Sequence, residues 1–398
     1  SAPLEIGGLG LNNFTLTLGS ATTDLTIHST LTVDNSDSQL ITNAADLILP
    51  YPLQLSAGVI RSTGGTFTLT QGGTINNATL DVSGTTLKLS DNLSAGSGTL
   101  TSNNTSVLHL LDDVTLTFNG EKTFKALEHN GKTLTLGSTT SDLKLVDPLT
   151  LNAGTLHTQG ADLNLQGALT LDNNSLIDST GGTLTLGGTV DNSSELTVPG
   201  TVLVLRSDFA ITGTLSTGTG TTISRNTHEF DLSGGLLKLG GDLNLAGTVT
   251  DNDTRLILQA DVTLGNSAST GIGSLDLNGL ALSISMAMTI NDPLTLDASG
   301  EQIVTGAADL SLNGGISATS GTLSSTGGTL GLPIGGTLAS GASFSTSNTT
   351  LNLGGSLAVA GTWSGSNTTS ISLTDNASLS STVQLSLASL QTNGHDFK

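Results

Sequence analysis

Residues 130–145 read NGKTLTLGSTTSDLKL. In TLTLG, and again in DLKL, apolar and polar residues alternate with period two, which marks a strand with one buried face. Neither run exceeds five residues, and Gly, Ser and Thr separate them. The second run returns one interval later as DLNL (162–165), so that Leu143, Leu163, Leu184 and Leu203 follow at spacings of 20, 21 and 19. The same interval links Leu47, Phe67, Leu87 and Val107, and also Leu310, Leu330, Leu351 and Ile371. Short strands that bend every few residues at a constant interval do not suit a sandwich. They suit a coil in which each rung lays its strands parallel to those of the next. No long stretch carries helical spacing.

The expected fold is therefore all-β: a single elongated parallel β-helix (β-solenoid) over residues 1–398, with about 20 residues per rung and about 20 rungs. Rungs stack roughly 4.8 Å apart, which would give a length on the order of 95 Å. The apolar members of each interval form the expected core ladder: Leu47, Phe67, Leu87, Leu143, Leu163, Leu184, Leu203, Leu310, Leu330, Leu351 and Ile371. Gly and Asn are expected at corners that need positive φ.

A longer period overlies the short one. LGLNNFTLTLGS (9–20), LEHNGKTLTLGS (127–138), LDLNGLALSIS (275–285) and LQTNGHDFK (390–398) align, with Asn130, Asn278 and Asn393 at one point. AADLIL (44–49), GADLNL (160–165) and AADLSL (307–312) match, as do STGG at 62–65, 179–182 and 325–328. These phrases divide the chain into super-repeats 12–129, 130–277 and 278–392, with 393–398 opening a further copy. A repeat that breaks off inside a phrase suggests a continuation of the same polypeptide, or head-to-tail self-association of rungs. Such a contact generates filaments because it does not close. Leu9, Leu11, Phe14, Leu390, Asn393 and Phe397 are the expected end-to-end interface.

Composition narrows the function. Charged residues make up 11%, well under the usual quarter, and the net charge is −21 with only 11 basic residues. Phosphate contacts need grouped Lys and Arg, so no nucleic-acid partner is expected, nor an anionic membrane surface. Cysteine is absent, which removes disulfides, thiol nucleophiles and Cys–zinc sites. No apolar run is long enough for a spanning helix, so no membrane insertion is expected. No signal peptide opens the chain; if the protein is exported, Ser1 follows a cleavage or lies inside a larger precursor.

Candidate chemistry is sparse. His28, His109, His129, His157, His228 and His395 are scattered, and His228-Glu229 lacks the second His of a zinc helix. Ser364 in GTWSGSN has no partner in sequence, and no nucleophile elbow or P-loop occurs. Asp112-Asp113 is the one adjacent acidic pair, while the sugar-stacking candidates Trp363 and Tyr51 lie far apart in sequence. No catalytic or cofactor-binding residue is assigned. Structural calcium is the one metal considered, at the oxygen-rich turns Asp251-Asn252-Asp253, Asp91-Asn92 and Asp375-Asn376, although the calcium nonapeptide is missing. Such turns ordinarily cap local backbone. Thr15/Thr17, Thr66/Thr68, Thr115/Thr117, Thr133/Thr135 and Thr183/Thr185 are read as outer-face strand residues rather than an ice-binding array. Sequons at Asn13, Asn77, Asn104, Asn192, Asn348 and Asn376 follow from composition.

The LTLG, DLNLQG, GGTL and NNATL rungs resemble the β-helical exoproteins of bacteria, namely filamentous-haemagglutinin-like adhesins and autotransporter passengers. The resemblance covers nearly the whole chain and implies a right-handed parallel β-helix, export, and a surface or matrix role. The leading expectation is an extracellular or cell-surface structural protein, part of a fibre, sheath or filament, with no catalysis. The alternative is a segment of a large secreted adhesin that binds carbohydrate or another host or matrix ligand. Its discriminating feature would be a repeat-breaking element, for which the irregular segment 118–132 (FNGEKTFKALEHNGK) is the candidate. A carbohydrate-active β-helix enzyme is the remote alternative.

Overall fold

The computed structural model describes residues 3–19, 23–224, 230–231, 235–245, 249–250, 253–266 and 270–398. The fold is a parallel β-solenoid of about 18 rungs with about 20 residues in each. Two compact units divide it, Ser1–Ser207 and Asp208–Lys398.

In the first unit each rung carries three short strands. Leu47–Leu49, Leu53–Leu55 and Val59–Ser62 make one rung, and Thr66–Leu69, Gly73–Ile75 and Thr79–Asp81 make the next. Each strand pairs in parallel with its counterpart: Leu47 with Phe67, Leu53 with Gly73, Val59 with Thr79. The stacked strands form parallel sheets on three faces of the rung, and the pleat sends alternate side chains inward. Leu47 and Leu49 are buried around an exposed Ile48. The expected ladder residues Leu47, Phe67, Leu87, Leu143, Leu163, Leu184 and Leu203 are all fully buried. Leu143–Leu163–Leu184–Leu203 form one column in register.

One expectation needs correction. Val107 does not extend the column Leu47–Phe67–Leu87. Leu87 pairs with Leu108, and Val107 pairs with Thr86. The rung leading to residue 107 is one residue longer than its predecessor. Because side chains alternate with period two, the extra residue moves the inward position from 107 to 108. Leu108 is fully buried, whereas Val107 is only half-buried.

The second unit repeats the plan. Leu310–Leu312, Ile316–Ala318 and Thr322–Ser325 lie under Thr329–Leu332, Gly335–Leu338 and Ser343–Thr346, with parallel pairing throughout. Leu310, Leu330, Leu351 and Ile371 stack in register and are buried. Trp363 stacks on Phe344, its partner one rung below, with ring centroids 4.7 Å apart. Its Nε1–H donates to Thr346 Oγ1 at 2.8 Å. Among the described residues the one helical segment is the short 3-10 turn Ser366–Thr368.

Corners explain much of the composition. In each STGG phrase the second glycine lies in the left-handed region: Gly65 at φ 65°, Gly182 at 63° and Gly328 at 67°. A Cβ on these residues would sit 2.5, 2.6 and 2.5 Å from the carbonyl oxygens of Ala44, Ala161 and Ala307, one rung earlier. The phrases AAD/GAD and STGG are thus two halves of one contact between successive rungs.

Segment 118–132 is not a projecting loop. Lys122–Phe124 pairs with Leu143–Leu145, and Ala126–Glu128 pairs with Val107–Leu110. Phe118 and Phe124 are buried, and Lys122 Nζ lies 5.9 Å from the Phe118 ring centroid. Burial of its stem pulls the Lys122 ammonium below its ordinary pKa.

Candidate functional site

Side-chain chemistry in this protein is directed from rung to rung. Asp46, Asp162 and Asp309 each precede a Leu-x-Leu strand. Their Oδ1 atoms accept the backbone N–H of Thr66 (2.6 Å), Thr183 (2.7 Å) and Thr329 (2.6 Å) on the following rung. Asp113, Asp142, Asp242 and Asp261 cap Thr133, Asp162, Thr263 and Ala281 in the same way. Asn92 does so with its amide oxygen, accepting from Thr115 N–H at 2.6 Å. A strand's first N–H faces a corner where the ladder has no carbonyl to offer, and the carboxylate supplies the acceptor.

Asparagines close the other side of the corner. Asn130, Asn278 and Asn393 have φ values of 51°, 50° and 51°. Their Nδ2 groups donate to the carbonyls of Leu110 (2.9 Å), Leu258 (3.3 Å) and Leu373 (2.9 Å), each one rung back. Asn43, at φ 50°, makes the same bond to Leu18 O at 2.8 Å. Asn tolerates this backbone region because its amide bonds locally.

Ion pairs obey the same rule. Arg61 meets Asp81 at 3.1 Å, Lys132 meets Asp112 at 3.2 Å, and Arg255 meets Asp276 at 3.1 Å. Four of the histidines face acids one rung away: His28 with Glu5 (3.5 Å), His109 with Glu128, His157 with Asp178 (3.1 Å) and His395 with Asp375 (4.0 Å). His109–Glu128 and His157–Asp178 are direct register partners in parallel sheets. Each of these acids stands 19–23 residues from its histidine in the sequence. The spacing of about one rung to an acid was the signal that paired them.

His129 differs. It is buried (7% exposed), with Nδ1 accepting from Gly131 N–H at 3.0 Å and Nε2 contacting Thr150 O at 2.9 Å. Burial holds its pKa below the ordinary value, partly countered by the Thr150 carbonyl. The site has no room to spare, since a Cβ on Gly154 would fall 2.2 Å from Nδ1.

The other sequence candidates are dispersed or already engaged. Asp112 and Asp113 do not form a dyad: Asp112 binds Lys132 and Asp113 caps Thr133. The Asp113 backbone N–H, followed by the Lys132 ammonium, lowers the Asp112 pKa. Asn92 and Asn376 cap the next rung, Asn92 Oδ1 accepting Thr115 N–H and Asn376 Oδ1 accepting Asp396 N–H at 2.8 Å, while Asp91 and Asp375 accept the backbone N–H of the asparagine that follows each of them. Asp251 and Asn252 lie outside the described residues, as do His228 and Glu229. Among the described residues no three His, Cys, Asp or Glu gather as metal ligands. Ser364 is exposed and registers with Ser345. Trp363 is buried, whereas Tyr51 is half exposed. Thr66 and Thr68 have Thr86 and Lys88 above them, so no continuous Thr array forms there. Of the expected interface residues, Phe14 and Leu390 are exposed at 72% and 42%, Leu9 and Phe397 are half-buried, Leu11 is buried, and Asn393 turns back onto its own chain.

Comparison with known protein families, with curated proteins and with solved structures gives no match for this chain.

Proposed function

We propose that this chain is an extracellular structural β-solenoid, an element of a bacterial surface fibre, sheath or filament. The observation that carries this reading is the direction of its polar chemistry. Carboxylates, amides and ion pairs are spent on joining each rung to the next, as in Asp46–Thr66, Asn130–Leu110 and Arg61–Asp81. Such a design favours stiffness and extension over a convergent site. Two sheet edges support it further. Leu390, on the outermost strand of its sheet, continues the buried column that runs through Leu351 and Ile371, yet is 42% exposed. In the other unit Leu4, on the strand paired with Leu25–Ile27, is 50% exposed. An open parallel edge with an apolar residue in register suits the addition of a strand from a second copy.

Electron microscopy of the native material, with its denatured mass measured alongside, tests the reading. Unbranched fibres support it, built from chains near 40 kDa or from a heavier polypeptide. Monodisperse particles of one 40 kDa chain at all concentrations refute it.

A second reading, a segment of a secreted adhesin of the filamentous-haemagglutinin or autotransporter-passenger type, is favoured by one observation. The single tyrosine of the chain stands half exposed in a groove.

A further inference from the structure

The outward polar side chains described above bond to a neighbouring rung, but among the described residues several outward columns carry no such bond, and one of these columns in the first unit is uncharged. Gln54, Thr74, Ser94 and Thr117 occupy outward positions of successive rungs, with Gln54–Thr74, Thr74–Ser94 and Ser94–Thr117 in register, and Thr32, on the strand Leu31–Thr32, lines the same groove as Gln54 and Thr74. None of these five is charged, in a chain whose net charge is −21. The neighbouring faces differ: Lys88 and His109 stand on the rungs of Ser94 and Thr117 in one column, and Arg61 and Asp81 on the rungs of Gln54 and Thr74 in another. Thr32, Gln54 and Thr74 are exposed, and among the described residues their side chains have no bonding partner. They line a groove of about 470 Å³ whose wall is formed by Tyr51 and Pro52, and no charged side chain contributes to it. Tyr51 is 50% exposed.

We propose that this column and Tyr51 form a binding groove for an uncharged, ribbon-like polysaccharide with equatorial linkages. Three features select that ligand. The aromatic ring offers a flat apolar face with a polar tip, which suits the C–H face of a pyranose and its hydroxyls together. Free hydroxyl and amide groups recur once per rung, roughly every 4.8 Å, so that each successive sugar ring meets a fresh donor and acceptor. The uncharged lining offers nothing to a sulfated or uronic-acid chain, which the protein's negative field repels. A nonpolar peptide strand would leave Thr32, Gln54 and Thr74 unanswered. The site is independent of filament assembly: loss of saccharide binding leaves fibres unchanged, and loss of fibres leaves the titration unchanged.

The test is calorimetric titration of the whole chain with cellohexaose, chitohexaose and, as acidic probe, a polygalacturonate hexamer. Binding of a neutral hexamer is expected, weakened about tenfold or more in Tyr51→Ala and retained in Tyr51→Phe. Gln54→Ala serves as a second variant; both sites are exposed, and circular dichroism checks that the fold is kept. Failure of both neutral hexamers to bind at about 1 mM overturns the proposal. So does unchanged affinity in both Tyr51→Ala and Gln54→Ala, or a preference for the acidic hexamer.

Discussion

Asp46 Oδ1 accepts the backbone N–H of Thr66 at 2.6 Å across the gap between two rungs, and the intervening glycine, Gly65, is held at φ 65° against the carbonyl of Ala44. The same pair of contacts recurs at Asp162–Thr183 with Gly182, and at Asp309–Thr329 with Gly328. A carboxylate, a positive-φ glycine and a carbonyl one rung away together fix how each rung seats on the last.

Replacing Gly65 with Ala should therefore be costly. The left-handed backbone costs an L-residue about 1–2 kcal/mol, and the added methyl meets the Ala44 oxygen at 2.5 Å. A loss of about 2–4 kcal/mol is expected in chemical denaturation. Gly10→Ala, where nothing lies within 4 Å of the new Cβ, should change stability by less than about 0.5 kcal/mol.

The cap can be removed alone. Asp46→Ala leaves the Thr66 N–H without its acceptor and should cost about 1–3 kcal/mol. Asp46→Asn should cost less, because Asn92 performs the same task for Thr115 with an amide oxygen at 2.6 Å. Amide exchange at Thr66 separates the two variants: protection is lost in the alanine form and largely kept in the asparagine form.

Rung length has a direct readout at positions 107 and 108. Leu108→Ala empties a fully buried position and should cost about 2–5 kcal/mol. Val107→Ala, on the outer side, should cost under about 1 kcal/mol. Denaturant midpoints of the two variants decide between the observed register and the uniform interval of 20.

His129 gives the fold an acid-side sensitivity. Its folded pKa is depressed by burial, so between that value and the unfolded value of about 6.5 the unfolded chain binds a proton that the folded chain does not. Stability is then fully present above the unfolded value and declines as pH falls through this window. His129→Gln should flatten that part of the curve. Thermal unfolding between pH 7 and pH 5 measures it.

Much of this was legible in sequence. The buried columns through Leu143 and Leu310 follow from period two combined with the rung interval, because stacked rungs demand like residues at like positions. The rest is relational. Val107 and Leu108 are both apolar, so counting by twenty could not say which faced inward. His109 and Glu128, or Lys132 and Asp112, are distant in sequence and adjacent in space only because a rung intervenes. Tyr51 and Trp363 looked equivalent as lone aromatics, yet register put Trp363 onto Phe344 in the core and left Tyr51 outside.

The exclusive pairing of each strand with its counterpart one rung away has a mechanical consequence. Tension applied along the stacking direction passes through the rungs in series, so the weakest lateral bond set sets the yield force. Once an end rung peels, it releases about 20 residues, or roughly 70 Å of contour at about 3.4 Å per residue, before the next bears load. Pulled at its ends, each unit should extend as a staircase of equal steps, losing length one rung at a time while the remainder keeps its strength.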